Sequence, residues 1–312
     1  MANETMKAAR FHEYGPPQNL VVEEVDRPQP GPGQLLVRVR AAGVHPFDWK
    51  VRQGLVQQYM PIPLPHIPGI DFAGVVDEIG PDVTGFTRGD SVFGGASATY
   101  GEYALASAGA VAVKPARLSF TEAAAVPVSA ATAWSAVIDV AEVQSGQSVL
   151  IHGGAGGVGM FAVQLAKWKG GTVTATTSSA NVDFVKSLGA DRVIDYTTTR
   201  FEDVVRDQDV VVDTVGGELM DRSWAVLKKG GILVEVAAQP SEEASKEHGV
   251  RLGMAQGQPT TELLTEIGRL IDEGRLKVEV GKVFPLENAA DAHALSETGH
   301  GRGRIVLEVA GS

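Results

Sequence analysis

A cluster of glycines within residues 151–170, IHGGAGGVGMFAVQLAKWKG, has the residue types and the spacing of a phosphate-binding loop. Gly154, Gly156 and Gly159 fit G-x-G-x-x-G between an apolar strand and an apolar helix. The first glycine permits a tight turn, the second lets backbone N–H groups reach a pyrophosphate, and the third brings the helix against the strand. The helix N-terminus, expected near Gly157, adds N–H donors. The alternative is a loop that serves packing only. The predicted dinucleotide contacts are Gly154, Ala155, Gly156, Gly157, Val158 and Gly159.

The end of the second strand decides which dinucleotide fits. An NAD site normally offers Asp or Glu there, about 20 residues after the loop, for the ribose 2′-hydroxyl. Here residues 176–179 read TTSS, and no acidic residue occurs between the loop and Asp183. The hydroxyls of Ser178 and Ser179 and the amide of Asn181 suit a 2′-phosphate, although this turn lacks arginine. The sequence therefore favours NADP(H) over NAD.

Strands and helices must alternate to place these groups at one edge of a sheet. Apolar runs rich in Val and Ile predict strands at residues 148–153, 172–177, 191–196, 209–215 and 231–238. Helical patterns between them cover residues 158–168, 181–188, 201–206 and 218–227. This alternation predicts a doubly wound parallel α/β sheet that binds its ligand at the carboxyl ends of the strands, where Val215, Val236 and Ala237 lie.

The remaining sequence predicts a second kind of architecture. Short β runs broken by Gly and Pro fill residues 6–113 and predict a small antiparallel barrel. The apolar stretch 123–140 contains Pro127 and several hydroxyl residues, so it predicts a buried helix rather than a membrane span. The polar stretch 241–248 predicts an exposed loop. Further predicted elements are helices at 261–273 and 287–296 and strands at 278–284 and 304–310.

Length and composition set outer bounds on the function. A chain of 312 residues exceeds the usual size of one domain, so two domains are expected. The net charge of −11 argues against nucleic-acid and anionic-membrane partners. With no cysteine, the chain has no disulfide, thiolate nucleophile or cysteine-based zinc lobe. The N-terminal residues lack the apolar core of a secretory signal, so a cytoplasmic location is expected.

Several segments, in chain order, resemble one known family. AAGVHPFDWKVRQG, PGIDFAGVVDEIG, PVSAATAW, VLIHGGAGGVG, SLGADRVIDY and DTVGG are similar to the zinc-lacking quinone oxidoreductase branch of the medium-chain dehydrogenases/reductases. The resemblance covers nearly the whole chain. It implies a GroES-like catalytic domain at residues 1–124, a Rossmann NADP-binding domain at 125–265 and a segment at 266–312 that returns to the catalytic domain. It also implies a homodimer joined at the Rossmann sheet edge.

The same resemblance raises the question of a metal. Where zinc-dependent relatives carry a cysteine, this chain has His45, and where they carry Gly-His-Glu it has Gly69, Ile70 and Asp71. We therefore expect no metal. Alcohol oxidation without a Lewis acid is unfavourable, because nothing stabilises the alkoxide. A quinone or an α,β-unsaturated carbonyl accepts hydride more readily, since conjugation carries the charge to an oxygen that hydrogen bonds can stabilise.

Candidate catalytic residues lie in the N-terminal half. Lys50 matches a lysine that enone-reducing relatives place near the substrate carbonyl, and its alternative is a solvated surface lysine. Tyr59 lines the pocket or simply packs. His45 takes the place of an asparagine beside the nicotinamide, which leaves open whether it is catalytic or binds the cofactor. Asp48 is expected to accept backbone N–H groups rather than to act as a general base.

The resemblance also implies further cofactor contacts. Thr132 corresponds to a residue at the nicotinamide ribose or amide, and Tyr196 to a tyrosine at the adenosine phosphate. Arg302 and Arg304 either reach the cofactor or belong to an ordinary surface loop. The function expected is an NADPH-dependent reductase of small quinones or enones. The alternatives are a reductase of another activated double bond and an NADPH-binding redox sensor or structural protein with little turnover.

Overall fold

The computed structural model describes residues 4–237 and 242–309, which group into two compact units. The first unit comprises Met1–Val128, Gln258–Asp272 and Glu279–Ser312. The second comprises Ser129–Gly257 and Glu273–Val278. Three ends of predicted elements, Ala238, Ser241 and Ala310, lie outside the described residues.

Strands occur throughout the described chain. They are β1 (Thr5–Arg10), β2 (Val21–Asp26), β3 (Gln34–Val44), β4 (Asp71–Ile79), β5 (Ser91–Gly95), β6 (Tyr103–Ser107), β7 (Val111–Val113), β8 (Ser148–His152), β9 (Thr172–Thr177), β10 (Arg192–Asp195), β11 (Gln208–Asp213), β12 (Leu227–Glu235), β13 (Arg251–Met254), β14 (Val280–Pro285) and β15 (Arg304–Glu308).

Most helices are short. They are α1 (Pro46–Arg52), α2 (Phe120–Ala124), α3 (Pro127–Trp134), α4 (Gly159–Trp168), α5 (Val182–Ser187), α6 (Phe201–Val204), α7 (Glu218–Ser223), α8 (Glu242–His248), α9 (Thr261–Asp272) and α10 (Ala289–Glu297). A π-helix, Ser135–Val140, follows α3 directly. None of the helices formed by residues 4–237 and 242–309 has both the length and the apolar character needed to cross a membrane.

In the first unit, the long strand β3 organises the sheet. It pairs antiparallel with β4, β6 and β15, as the sequence predicts for this half of the chain. One parallel pair, β14 with β15, joins the same sheet. The register places Gly43 of β3 opposite Asp71 of β4. Because β3 ends at Val44 and Pro46 starts α1, this pairing brings His45 beside Asp71.

The second unit is a parallel six-stranded sheet in the order β10-β9-β8-β11-β12-β13. This is the predicted doubly wound Rossmann arrangement, with order 3-2-1-4-5-6 along the chain. Its central strands carry Val, Leu and Ile that are buried on both faces, as a sheet covered by helices requires. The carboxyl ends of the strands share one edge, which carries the glycine-rich loop and the turn at residues 178–181.

Three local predictions are wrong in detail. The stretch expected as an exposed loop forms α8, because Ser245 is buried and its hydroxyl donates to the Val250 carbonyl at 2.8 Å. The helix expected near Gly157 begins at Gly159. The buried segment 123–140 is not one helix but α2, α3 and the π-helix in succession, with a break before Pro127 that fits its missing N–H donor.

Candidate active site

The glycine-rich loop contains the close approach that its sequence predicts. A Cβ added to Gly159 would lie 2.1 Å from the carbonyl oxygen of Gly153, so that only glycine fits there. A Cβ on Gly154 would lie 2.9 Å from the Cβ of Ala175 on β9. The left-handed residue of the tight turn is Gly153, with φ of 70°, which precedes the motif. The loop is therefore packed tightly against strand and helix.

The amide groups of this loop fall into two sets. Gly154 donates to the Thr176 carbonyl and Gly156 to the Gly153 carbonyl, both at 2.9 Å, so these two N–H groups hold the loop itself. Within the described part of the chain, the N–H groups of Gly157 and Val158 donate no hydrogen bond. Both lie at the N-terminus of α4, where the helix dipole favours an anion. The donor set fits a pyrophosphate.

The turn after β9 carries the hydroxyl groups expected near the adenosine. Asn181 Nδ2 donates to Ser178 Oγ at 3.2 Å, which links two of the predicted residues. Ser179 Oγ donates to Asp195 Oδ2 at 2.5 Å, and Asp195 is the last residue of β10. Tyr196 follows Asp195, and half of its side chain is exposed. Asp195 was not among the residues predicted for this site, although its position at the end of a predicted strand was a signal.

The other predicted cofactor residues occupy different elements. Val215 and Val236 follow β11 and β12 at the carboxyl edge of the sheet, and Ala237 comes next. Val215 is half exposed, while Val236 donates its N–H to the Asp213 carbonyl at 3.0 Å. Thr132 is a buried residue of α3. The structure therefore groups the loop, residues 178–181, Tyr196, Val215 and Val236 at the edge that binds ligands in such sheets.

A buried polar row at the same edge was missed by the sequence analysis. His152, Asp213 and Glu235 end three neighbouring strands in register and are fully buried. His152 contacts Thr176 Oγ1 at 3.2 Å and Ser223 Oγ at 3.0 Å, and burial lowers its pKa to about 4. Burial, and secondarily the charge of Asp213, raises the pKa of Glu235 to about 8. The sequence feature that could have identified this row is an acidic residue at the end of an apolar strand.

In the first unit, His45 forms a buried pair with Asp71. Their Nε2 and Oδ2 atoms lie 2.7 Å apart, and Asp71 also accepts the Val128 N–H at 3.0 Å. His45 is the N-cap residue of α1 and is 5% exposed. Among the described residues, no group of three or more His, Cys, Asp or Glu side chains is arranged to hold a metal ion. The pair instead fixes the imidazole through a direct hydrogen bond.

A chain of hydrogen bonds continues from this pair into the core. Asp48 accepts the His45 N–H at 2.7 Å, as predicted, and the Tyr100 hydroxyl at 3.1 Å. His293 Nε2 lies 3.3 Å from the Tyr100 hydroxyl, and Arg52 Nε donates to His293 Nδ1 at 3.2 Å. Because His293 Nδ1 accepts, its proton resides on Nε2 and points to Tyr100.

Burial favours the neutral form of three side chains in this hydrogen-bonded network. It raises the pKa of Asp48 and the pKa of Tyr100. Burial, together with Arg52, lowers the pKa of His293 to about 3. His293 is therefore neutral at physiological pH, and the network holds α1, which carries Lys50, against α10.

The remaining predicted residues of this unit differ in exposure. Tyr59 is 76% exposed and lies in the loop between α1 and β4. Lys50 Nζ lies 5.8 Å from the ring centroid of Trp49, and it has no carboxylate partner among the described residues. Arg304 is buried, and its Nη1 donates to the Val44 carbonyl at 3.3 Å. Arg302 pairs with Glu279. Tyr59 is thus largely exposed, and Lys50 is partly exposed.

Comparison with known proteins identifies the relatives of this chain. The family model "Alcohol dehydrogenase GroES-like domain" matches residues 31–162, and "Zinc-binding dehydrogenase" matches residues 188–307. The 2-methylene-furan-3-one reductase of Solanum lycopersicum is 36% identical over 97% of this chain and 79% of its own length. The chloroplastic NADPH-dependent alkenal/one oxidoreductase of Arabidopsis thaliana is 33% identical over 97% and 79%. The solved quinone oxidoreductase of Coxiella burnetii has a TM-score of 0.92 and 38% identity, covering 98% of this chain and 100% of its own.

These matches define an oxidoreductase with a GroES-like part and a Rossmann part, which confirms the predicted fold class. The chain belongs to the medium-chain dehydrogenase/reductase family, in its quinone oxidoreductase branch. Nicotinamide nucleotides are the cofactors of this family. The donor set at the N-terminus of α4 is consistent with that chemistry.

Proposed function

We propose that this protein is an NADPH-dependent reductase that transfers hydride to quinones or α,β-unsaturated carbonyls without zinc. The observation that carries the proposal is the loop at the N-terminus of α4. Gly159 lies very close to the Gly153 carbonyl. Within the described part of the chain the N–H groups of Gly157 and Val158 donate no hydrogen bond, so they are available to a diphosphate. The substrate class is supported by relatives named for a furanone, alkenals and quinones.

The diphosphate and the adenosine end of the cofactor would have separate contacts in the second unit. The N–H groups of Gly157 and Val158 would bind the diphosphate, and the hydroxyls of Ser178 and Ser179 would bind the 2′-phosphate. Tyr196 would lie beside the adenosine. When bound, NADPH supplies the hydride. The relative named for NADPH supports this choice of cofactor.

The first unit supplies the polar contact for the acceptor. Among the described residues no carboxylate pairs with the Lys50 ammonium, so it is available to donate a hydrogen bond to the carbonyl oxygen of the acceptor. As hydride reaches the conjugated carbon, charge develops on that oxygen, and the donated hydrogen bond stabilises it. A proton from Lys50 or solvent then completes the two-electron reduction. Asp71 keeps the imidazole of His45 in one orientation through the hydrogen bond at Nε2.

Consumption of NADPH tests this proposal. Purified protein should oxidise NADPH when given 9,10-phenanthrenequinone or a 2-alkenal, with activity retained after dialysis against a chelator. Lys50→Met should lower kcat about 10- to 100-fold and leave the Kd of NADPH within about twofold, because it removes only the donor to the acceptor. Arg88→Met, which removes an exposed cation of the same unit, is the control.

Two results would contradict the proposal in different ways. Binding of NADPH without turnover of any quinone or enone would favour the sensor or structural protein. Loss of activity on chelation, restored by zinc, would show that the metal-free reaction is wrong.

A further inference from the structure

Asp195 places a carboxylate beside the hydroxyl groups expected to meet the adenosine ribose. It ends β10, directly opposite Thr177 at the end of β9. Its Oδ2 accepts the Ser179 hydroxyl at 2.5 Å, and its Oδ1 accepts the Thr197 N–H at 2.9 Å and the Thr197 hydroxyl at 2.7 Å. These hydrogen bonds lower the pKa of Asp195, so the group is ionised at neutral pH.

Within the described residues, no lysine or arginine forms an ion pair with this carboxylate. The cation of the neighbouring helix, Lys186, pairs with Asp183 at 3.8 Å. Arg192, on the same strand, donates to the Val204 carbonyl instead. The negative charge of Asp195 therefore stands uncompensated next to Ser179. A phosphate bound by the Ser179 hydroxyl would meet that charge and would also have to displace an existing hydrogen bond.

We propose that Asp195 is the residue that limits cofactor selectivity, because its carboxylate occupies the Ser179 hydroxyl and repels a 2′-phosphate, so that NADH is used alongside NADPH. The inference rests on the proposed function, since it concerns the same nucleotide site. A ribose 2′-hydroxyl carries no charge and is not repelled. For a dianionic phosphate about 5–6 Å away, Coulomb's law in water gives a repulsion worth about tenfold in Kd.

An alternative role for Asp195 is to position the Ser179 hydroxyl, which would favour NADPH instead of opposing it. Its carboxylate would then orient the Ser179 hydroxyl toward the phosphate, and its removal would weaken NADPH binding. The two roles predict changes of opposite sign, so one pair of titrations separates them.

The experiment compares Asp195→Asn with the unmodified protein by nicotinamide fluorescence. We expect the Kd of NADPH to fall about tenfold and the Kd of NADH to stay within about twofold. The gain should shrink when the salt concentration rises from about 20 mM to about 200 mM, because the repulsion acts in solvent. Asp195→Ser, which removes the charge without adding an amide, should likewise lower the Kd of NADPH and leave the Kd of NADH within about twofold.

A matched control removes one charge at the opposite edge of the same sheet. Asp207 is exposed, precedes β11 and has φ of 56°, a conformation that asparagine adopts easily. Asp207→Asn should leave the ratio of the two constants unchanged. If Asp195→Asn leaves that ratio unchanged, or weakens NADPH alone, the inference is wrong while the proposed function stands. If the unmodified protein binds neither nucleotide, the proposed function fails and the inference with it.

Discussion

Replacing Glu235 by glutamine should change how the stability of the protein depends on pH. Glu235 ends β12 opposite Asp213 of β11, and both side chains are fully buried. Among the described residues, neither carboxyl oxygen of Glu235 has a hydrogen-bond partner, and Asp213 Oδ2 lacks one too. Asp213 Oδ1 accepts the N–H groups of Val215 and Gly216 at 2.8 and 2.9 Å. The raised pKa of Glu235 places a proton on this group at neutral pH.

The magnitude follows from the raised pKa. Burial and the charge of Asp213 move the pKa of Glu235 from 4.5 to about 8. The folded protein therefore keeps a proton that the unfolded chain loses, so the contribution of this group to stability is greatest below pH 4.5. It declines as pH rises to about 8 and is level above that value. Between about pH 5.5 and about pH 8.5 the expected loss is about 3 kcal/mol.

Urea unfolding at a series of pH values measures this loss. Glu235→Gln does not titrate, so its free energy of unfolding relative to the unmodified protein should rise by about 3 kcal/mol across that range. The buried amide is expected to lower the free energy of unfolding of the variant by about 1–3 kcal/mol, and this loss is the same at every pH. Glu247→Gln, an exposed glutamate on α8, is the control and should show no such rise. A difference between Glu235→Gln and the unmodified protein that is flat with pH would refute the reasoning.

Two further substitutions test the loop and the buried pair. Gly159→Ala should weaken NADPH and NADH binding by at least about tenfold and lower stability by about 1–3 kcal/mol, since its Cβ would meet Gly153 at 2.1 Å. Fluorescence titration and thermal melting check this, with Gly109→Ala, whose Cβ has only one contact at 3.8 Å, as control. Asp71→Asn should lower the free energy of unfolding by about 1–3 kcal/mol, because His45 loses a charged acceptor. Unchanged urea unfolding would contradict that expectation.

The features that the sequence predicts correctly are those set by neighbouring residues. Runs of Val and Ile predict β8, β9 and β11, because strands buried on both faces need apolar side chains throughout. The spacing of glycines predicts that Gly159 lets the helix approach the strand closely, because such an approach is possible only without a Cβ.

The features that it misses depend on residues far apart in the chain. Arg52 and His293 are 241 positions apart, so no local pattern predicts their hydrogen bond. Helix α8 has a polar composition that resembles a loop. Tertiary contacts stabilise this helix. They include the buried Ser245 and the His248 ring, whose centroid lies 5.8 Å from that of the stacked Trp224 ring. Tertiary packing of this kind overrides composition.

Buried carboxyl groups in the two units differ in their hydrogen-bond partners. In the first unit, Asp48 and Asp71 each accept at least two hydrogen bonds, so the side chains around His45 are held in one arrangement. In the second unit, Glu235 at the carboxyl edge of the sheet has no hydrogen-bond partner among residues 4–237 and 242–309. A buried carboxyl group without partners destabilises a protein, and an apolar residue would remove that penalty. Such departures from local rules are expected at functional sites. Glu235 lies at the carboxyl edge of the parallel sheet, where sheets of this kind bind their ligands.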